Sequence, residues 1–239
     1  MKAITRSDNL IQLVRMGAFN CYLVREDDGY TLVDTNLPGS AKSIVKSAEK
    51  LGATIKRIVI THAHSDHAKS VDALHAMLPD AEILWSTRTA RFLSGDMTLD
   101  ADEPQAKLKG SFITVETEAD RLLNPGDRVG SLKVVAAPGH TPDQIALLDT
   151  RDRTIIAADA FQTRAGLTVV STVRWLFPFP AMATWHAPTA VETAKRLHGL
   201  NPSRLAVGHG PVIENPGPRM AAAIVEAERR QAKTAGAKA

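Results

Sequence analysis

The sequence predicts an α/β fold of layered strands and helices, and three observations lead to that prediction. The 239 residues are 44% hydrophobic, and chains of this size bury roughly 70–75% of the surface that the unfolded chain exposes. Short β-type runs alternate with stretches of helical spacing. These runs form two successive series, separated by the polar stretch 94–128. The length favours one domain over residues 1–239, with 229–239 as a frayed tail.

The first series opens with three β-type runs, and the turn Asp27-Asp28-Gly29 between two of them predicts an antiparallel meander. A stretch of helical spacing then stops at Gly52, a residue suited to a helix C-cap. The predicted elements of this series are strands 10–15, 19–25 and 30–34, helix 40–51, strand 56–60, helix 68–78 and strand 82–85.

The second series repeats the alternation of strand and helix with different lengths. Its predicted elements are strands 132–136, 144–149 and 154–158, helix 184–199 and strand 204–207. Two such βα halves are typical of a layered α/β protein, although no direct sequence repeat relates them.

Directly after strand 56–60 the chain reads His62-Ala63-His64-Ser65-Asp66-His67, the HxHxDH loop. Side chains alternate with period two at the end of a strand, so His62 and His64 project together and can bind one cation. As the chain leaves the strand, Asp66 and His67 can turn towards a second cation. Imidazole and carboxylate without thiolate are typical of a reactive site for zinc, iron, cobalt or manganese.

Three further candidate ligands follow β-type runs later in the chain: His140, Asp159 and His209. Each lies at a transition from strand to loop, where active-site groups concentrate on a rigid scaffold. One such residue alone is a weak signal, whereas three in order behind HxHxDH predict a metal centre.

This ordered pattern resembles that of the metallo-β-lactamase superfamily of hydrolases, over nearly the whole chain. The resemblance implies an αββα sandwich of two mixed β-sheets flanked by helices. It also implies that Asp34 supports the ligand loop from behind the ligands. The implied cofactor is a pair of divalent ions, zinc first, with iron, manganese or cobalt as alternatives. The implied ligands are His62, His64 and His140 for one ion, Asp66, His67 and His209 for the other, and Asp159 as the bridge.

Two ions that share a carboxylate can hold a bridging hydroxide, which attacks an electrophilic carbon or phosphorus. Asp159 and Asp66 are therefore the catalytic candidates, and Asp66 can relay a proton to the leaving group. Two features argue against antibiotic hydrolysis as the main role. They are the carboxylate of Asp159 at the bridging position and the start of the chain, which does not read as an export signal. Lactonases that resemble this chain carry a tyrosine where Gln162 stands.

The function that we expect is hydrolysis of an ester or lactone of a small, partly apolar substrate. A thioesterase or phosphodiesterase on the same site is the alternative, followed by a mononuclear iron dioxygenase or a binding module without catalysis. The aromatic segment, residues 175–180, supplies Trp175 and Phe177 as a candidate apolar wall for the substrate, with Phe19 and Phe161 as further contacts. A buried core corner or a subunit interface is the other interpretation of this segment.

A net charge of +3 without a basic stripe does not imply nucleic acid binding. No stretch approaches the ~20 apolar residues of a membrane helix, so we expect a cytoplasmic protein without a membrane partner, and a homodimer is left open.

The single cysteine, Cys21, fits a buried core residue better than a nucleophile. His75, His186 and His198 lie on predicted helices without other ligands at metal-binding spacing, which indicates packing or surface roles.

Overall fold

The computed structural model describes residues 1–236, which form two compact units. The first unit comprises residues 1–98 and 111–134, and the second comprises residues 99–110 and 135–239 as far as the chain is described. The prediction of one domain over the whole chain stays a prediction. Of the predicted frayed tail, residues 229–236 are helical, and 237–239 lie outside the described residues.

The first unit contains a seven-stranded mixed sheet with its strands in chain order, β1 to β7. Strands β1 to β4 are antiparallel neighbours, and β4 to β7 are parallel neighbours. Its elements are β1 (Lys2–Thr5), β2 (Leu10–Arg15), β3 (Phe19–Glu26), β4 (Gly29–Val33), α1 (Ala41–Lys50), β5 (Ile55–Ile60), α2 (Ser65–Ala68), α3 (Val71–Met77), β6 (Glu82–Ser86), α4 (Thr87–Leu93), β7 (Arg121–Leu123) and β8 (Arg128–Val129).

The predicted meander and first helix are confirmed. Glu26 pairs with Gly29 across the two-residue connection between β3 and β4, as the Asp-Asp-Gly signal predicts. Helix α1 buries Ala41, Ile44 and Ala48, a spacing of three and four residues that places them on one face. The sequence pattern alone therefore specifies the opening of the sheet and the helix that follows it.

The predicted helix 68–78 is wrong in its bounds, because the chain forms α2 and α3 with a break at Ser70. The Ser70 hydroxyl donates to the Leu37 carbonyl at 2.9 Å and accepts from the Ser40 amide at 3.1 Å. These bonds tie Ser70 to residues before α1, so tertiary contacts interrupt the helix. The sequence analysis also misses α4, which Ser86 caps by accepting from the Thr89 amide at 3.0 Å.

The second unit contains most of a six-stranded mixed sheet of order β15-β14-β11-β10-β9-β8. Strands β11 and β14 are parallel, whereas β10 and β11, and β14 and β15, are antiparallel. Its elements are β9 (Leu132–Ala136), β10 (Ile145–Asp149), β11 (Thr154–Ile156), β12 (Phe161–Gln162), β13 (Thr168–Val169), α5 (Phe179–Met182), α6 (Ala187–Gly199), β14 (Arg204–Ala206), β15 (Ile213–Glu214) and α7 (Gly217–Gly236). Strand β9 begins in the first unit.

The predicted helix 184–199 begins later, at Ala187, because His186 is its N-cap and accepts from the Thr189 amide at 3.4 Å. The predicted strand 154–158 ends at Ile156, since residues 158–160 form a short 3-10 turn. Helix α6 buries Val191, Ala194 and Leu197 in the apolar core of this unit. Helix α7 contributes four apolar side chains to the same core: Met220, Ala223, Ile224 and Ala227.

Two mixed sheets flanked by helices confirm the predicted α/β class. The short strands β12, β13 and β15 escape prediction because two residues carry no periodic pattern. Within residues 1–236, every helix falls short of the length or the apolar content needed to cross a bilayer.

Candidate metal centre

The carboxyl ends of β4 and β5 position the first group of candidate ligands. These strands are parallel neighbours, with Val33 opposite Val59, so the residues that follow them emerge at the same sheet edge. Asp34 follows β4 with φ 64°, a left-handed conformation that aspartate adopts more readily than most side chains. The Asp34 amide donates to the Val59 carbonyl at 2.8 Å. The turn after β4 is therefore fixed against the end of β5.

The Asp34 carboxylate holds the HxHxDH loop at both ends. It accepts from the Thr61 amide at 2.8 Å, from the Thr61 hydroxyl at 2.9 Å and from His67 Nδ1 at 2.7 Å. An ionised carboxylate only accepts, so His67 carries its hydrogen on Nδ1. The resulting tautomer leaves His67 Nε2 with the lone pair that a metal requires. The supporting role predicted for Asp34 is confirmed by these bonds.

His62, His64 and His67 form a buried cluster of imidazoles in the first unit. The ring centroid of His62 lies 4.9 Å from that of His64 and 4.1 Å from that of His67. His64 also contacts the Phe112 ring edge to face at 4.6 Å. The Ser65 amide donates to the Ser111 carbonyl at 2.9 Å, so residues 111–112 brace the loop. We refer to His62, His64, Asp66 and His67 as the first cluster.

Asp66 differs from the other members of the first cluster in its exposure. Its side chain is 21% exposed, and its Oδ2 lies 3.8 Å from His67 Nε2. The residue belongs to the single turn α2, which begins immediately after His64. Asp66 is therefore the most exposed member of the first cluster.

In the second unit, Asp159 lies between two of the predicted histidine ligands. Its Oδ2 is 3.4 Å from His140 Nε2 and 3.1 Å from His209 Nε2. Asp159 and His209 follow the adjacent parallel strands β11 and β14, whose last residues Ile156 and Ala206 pair. All three ligand side chains are buried. We refer to His140, Asp159 and His209 as the second cluster.

Two glycines allow the second cluster to form. At position 139 (φ 138°), a Cβ atom would lie 2.4 Å from the Ala190 main chain. At position 210 (φ 107°), a Cβ atom would lie 2.3 Å from the Arg164 main-chain nitrogen. A larger residue would displace backbone in both places, because no flexible side chain can give way. The glycines flanking His140 and His209 are thus required by close approach.

The sequence analysis missed a contact to His140. The Thr184 hydroxyl lies 3.3 Å from His140 Nδ1, and the Trp185 amide donates to the His140 carbonyl at 2.8 Å. These partners are 44 and 45 residues away in sequence, so no local pattern could identify them. Thr184 carries no sequence signal of its own, because a single threonine between two helices is common in any fold.

The donor sets of both clusters fit a divalent transition metal. Each offers buried imidazole nitrogens beside a carboxylate, the ligand types that zinc and iron accept. The only thiol, Cys21, is buried, and burial raises the pKa of that thiol, with the nearby Asp34 charge adding to the effect. Cys21 is therefore a core residue, as the sequence analysis expects, and not a thiolate ligand.

The four predicted substrate contacts occupy different environments. Phe177 packs its ring against His209, with centroids 5.3 Å apart, whereas Phe161 is fully buried in the core of the second unit. Trp175 is 89% exposed. Phe19 opens β3, and its carbonyl accepts from the Asn36 side chain at 3.0 Å.

Among the remaining histidines, His186 caps α6, and burial together with Lys109 lowers its pKa. His75 lies in α3 and His198 in α6. The capping role of His186 agrees with the structural role that the sequence analysis assigns to it.

Comparison with known proteins tests the resemblance directly. The model of the metallo-beta-lactamase superfamily matches residues 16–209. An uncharacterized protein of Bacillus subtilis, YobT, is 44% identical over 211 residues, covering 88% of this chain and 91% of the relative. The probable metallo-hydrolase YflN of the same organism is 28% identical over 212 residues, covering 80% of each chain.

Solved structures support the same fold. A metallo-beta-lactamase of Cronobacter sakazakii superposes with a TM-score of 0.70 at 18% identity, covering 99% of this chain and 95% of the other. The predicted metallo-β-lactamase fold is thereby confirmed. With a family match over residues 16–209 and the His/Asp clusters described above, the chain belongs to the metallo-β-lactamase superfamily of metal-dependent hydrolases.

Proposed function

We propose that this protein hydrolyses esters or lactones with two divalent ions, zinc by preference, that both clusters hold together. His62, His64 and His140 would bind one ion, and Asp66, His67 and His209 would bind the other. Asp159 would bridge the two ions. The substrate is a small molecule with an apolar part.

The observation that carries this proposal is the position of the Asp159 carboxylate. One of its oxygens contacts both His140 and His209, at 3.4 and 3.1 Å. We assign these two histidines to different ions, and a carboxylate in contact with both supports its role as the bridge. The first cluster supplies one imidazole whose orientation is already set, since Asp34 accepts from His67 Nδ1.

The chemistry divides between the ions and the side chains. A pair of divalent ions would supply an activated water near neutral pH and polarise the attacked carbonyl oxygen. Asp159 would offset the mutual repulsion of the two cations. Asp66, with its 21% exposed side chain, would accept the proton that the attacking water gives up and pass it to the leaving alkoxide.

The choice of ester or lactone rests on the surroundings of the clusters. Phe177, in contact with the His209 ring, offers an apolar surface beside a proposed ligand. Gln162, fully buried in β12, stands where related lactonases have tyrosine, so no phenol is available there. The two ions would then be the main source of carbonyl polarisation.

A substrate panel on zinc-loaded protein tests the proposal. We expect turnover of lactones and aryl esters to exceed that of thioesters and phosphodiesters, and His140→Ala to abolish all of it. Preference for thioesters or phosphodiesters would move the assignment to that alternative. One bound iron per chain with oxygen consumption would indicate the dioxygenase, and absence of both metal and turnover would indicate a binding module.

A further inference from the structure

Thr184 lies between α5 and α6, buried, with two partners for one hydroxyl. Its Oγ1 is 2.9 Å from the Pro180 carbonyl oxygen and 3.3 Å from His140 Nδ1. A hydroxyl has a single hydrogen, and a carbonyl oxygen can only accept. The hydrogen of Thr184 therefore points to Pro180, and a lone pair of Oγ1 faces His140.

This arrangement decides where His140 carries its own hydrogen. With an acceptor at Nδ1, the neutral ring is protonated there, and the lone pair resides on Nε2. The competing tautomer would place the hydrogen on Nε2, where it can donate to Asp159 Oδ2 at 3.4 Å. That tautomer would occupy the nitrogen nearest Asp159 with a hydrogen and deny it to an ion.

The main chain keeps Thr184 in place beside His140. The Trp185 amide donates to the His140 carbonyl at 2.8 Å, and the His186 amide donates to the Gly139 carbonyl at 3.0 Å. The Trp185 indole, in turn, donates to the Ala106 carbonyl at 3.0 Å. Two main-chain hydrogen bonds thus join residues 185–186 to residues 139–140, and the Thr184 hydroxyl is held beside Nδ1 by the backbone that makes them.

We propose that Thr184 is a positioning residue that selects the Nδ1-protonated tautomer of His140 and so presents Nε2 to the metal. The inference rests on the proposed function only in taking His140 as a ligand. It assigns no contact between Thr184 and the substrate. A positioning hydrogen bond of this kind is typically worth 10–100-fold in metal affinity.

The test compares Thr184→Val, Thr184→Ser and wild type by two readouts that need no substrate. Long-range ¹H–¹⁵N spectra of histidine-labelled, metal-free protein report the His140 tautomer, assigned by the loss of its signal in His140→Gln. Zinc affinity is measured by competition with a chromophoric chelator. Thr172→Val is the matched control, because Thr172 is also buried in the second unit and its hydroxyl has no hydrogen-bond partner among the described residues.

We expect wild type, Thr184→Ser and Thr172→Val to show Nδ1-protonated His140 and equal zinc affinity. Thr184→Val should populate the Nε2-protonated form and bind zinc 10–100-fold more weakly. An unchanged tautomer in folded Thr184→Val would overturn the inference, whatever its zinc affinity. If that variant does not fold, the wild-type spectrum decides, since an Nε2-protonated His140 there refutes the proposal. Failure of ester or lactone turnover would leave these outcomes untouched.

Discussion

At the scale of single residues, Asp34 organises the first cluster although it lies 28 residues before the first histidine ligand. Its two oxygens receive three hydrogen bonds, two from Thr61 and one from His67. The left-handed backbone at Asp34 aims the carboxylate at these donors. Such a conformation in a residue other than glycine is maintained only where the surrounding contacts determine it.

Removing this carboxylate should affect stability and metal binding together. Asp34→Ala leaves the buried Thr61 amide without its acceptor, which costs about 1–3 kcal/mol of unfolding free energy, and should weaken zinc binding by roughly 10–100-fold. Urea unfolding of metal-free protein and chelator competition measure the two effects. Asp34→Asn retains one acceptor oxygen, so it should recover most of the stability and little of the affinity. Equal zinc affinity in all three proteins would contradict the role of Asp34.

The ligands and the lone cysteine should differ sharply in their contribution to turnover. Replacing His62, His64 or His140 by alanine should abolish hydrolysis of every substrate class, because the nucleophilic water is no longer activated or positioned. Cys21→Ser should leave kcat of the folded protein nearly unchanged, since Cys21 is a buried core residue. Steady-state kinetics after verification of folding and metal content provide the comparison. A large loss of kcat in folded, metal-loaded Cys21→Ser would contradict the assignment of Cys21 to the core.

At the scale of elements, the aromatic segment divides its side chains between two environments. Phe177 is directed to His209, while Trp175 and Leu176 are each 89% exposed and Phe179 is 67% exposed. The proline at 178 and the short helix α5 restrict the backbone between them. The segment therefore presents an apolar outer surface on a base that contacts a proposed ligand.

If this outer surface receives the apolar part of the substrate, catalytic efficiency should rise several-fold as the acyl chain lengthens, because each buried CH₂ contributes up to ~0.8 kcal/mol. Trp175→Ala should flatten that dependence and leave short-chain turnover intact. Phe177→Ala should lower turnover of short and long substrates alike, since it removes the ring that packs on His209. A series of aryl esters from acetate to decanoate measures both variants. If the catalytic efficiency of wild type does not depend on acyl-chain length, Trp175 is better assigned to an interface.

Arg174, the residue immediately before this segment, forms an ion pair with Glu226 of α7. Arg174 donates to both carboxylate oxygens of Glu226 at 2.7 Å, and this contact holds the pKa of the Glu226 carboxyl below its usual value of 4.5. A depressed carboxyl pKa stabilises the fold above the unfolded value and loses that contribution as pH falls through the folded value. Partly exposed pairs of this kind contribute about 0.5–1 kcal/mol.

Glu226→Gln should therefore destabilise the protein by about 0.5–1 kcal/mol at pH 7 and by progressively less as the pH falls below 4.5. Urea unfolding at several pH values measures the difference in unfolding free energy between wild type and Glu226→Gln. Glu192→Gln is a control, because Glu192 pairs with the exposed Lys195 on α6. A difference that is constant with pH would show that packing of the side chain, and not its charge, matters at position 226.

At the scale of the whole molecule, the sequence predicts those parts of the fold and candidate site that local patterns encode. Alternation predicts strand runs such as β2 and β5, and the transition from strand to loop predicts His140 as a candidate ligand. Helix α4 and the break at Ser70 depend on contacts between distant residues, as does the hydroxyl of Thr184. Such contacts carry no local periodicity, so one sequence cannot reveal them.

Metal binding should couple to the stability of the entire chain, because the proposed ligands span positions 62 to 209. Zinc at about 1,000 times its Kd stabilises a folded protein by about 4 kcal/mol, which corresponds to roughly 8–16 °C in Tm for a chain of this length. Calorimetry with zinc and with chelator should show this difference, with close to two ions per chain by elemental analysis. Asp159→Ala should lose most of the shift. A single ion with full activity would rule out the dinuclear arrangement.

The contact between Gly139 and Ala190 has a consequence for anyone who wishes to redesign this protein. Since no Cβ atom fits between the two backbones, α6 and the turn that carries His140 pack main chain against main chain within the second unit. A substitution that shifts the backbone of α6 near Ala190 would therefore also shift the turn that carries His140. A laboratory evolution experiment would accordingly find this part of α6 less tolerant of backbone shifts than an ordinary surface helix.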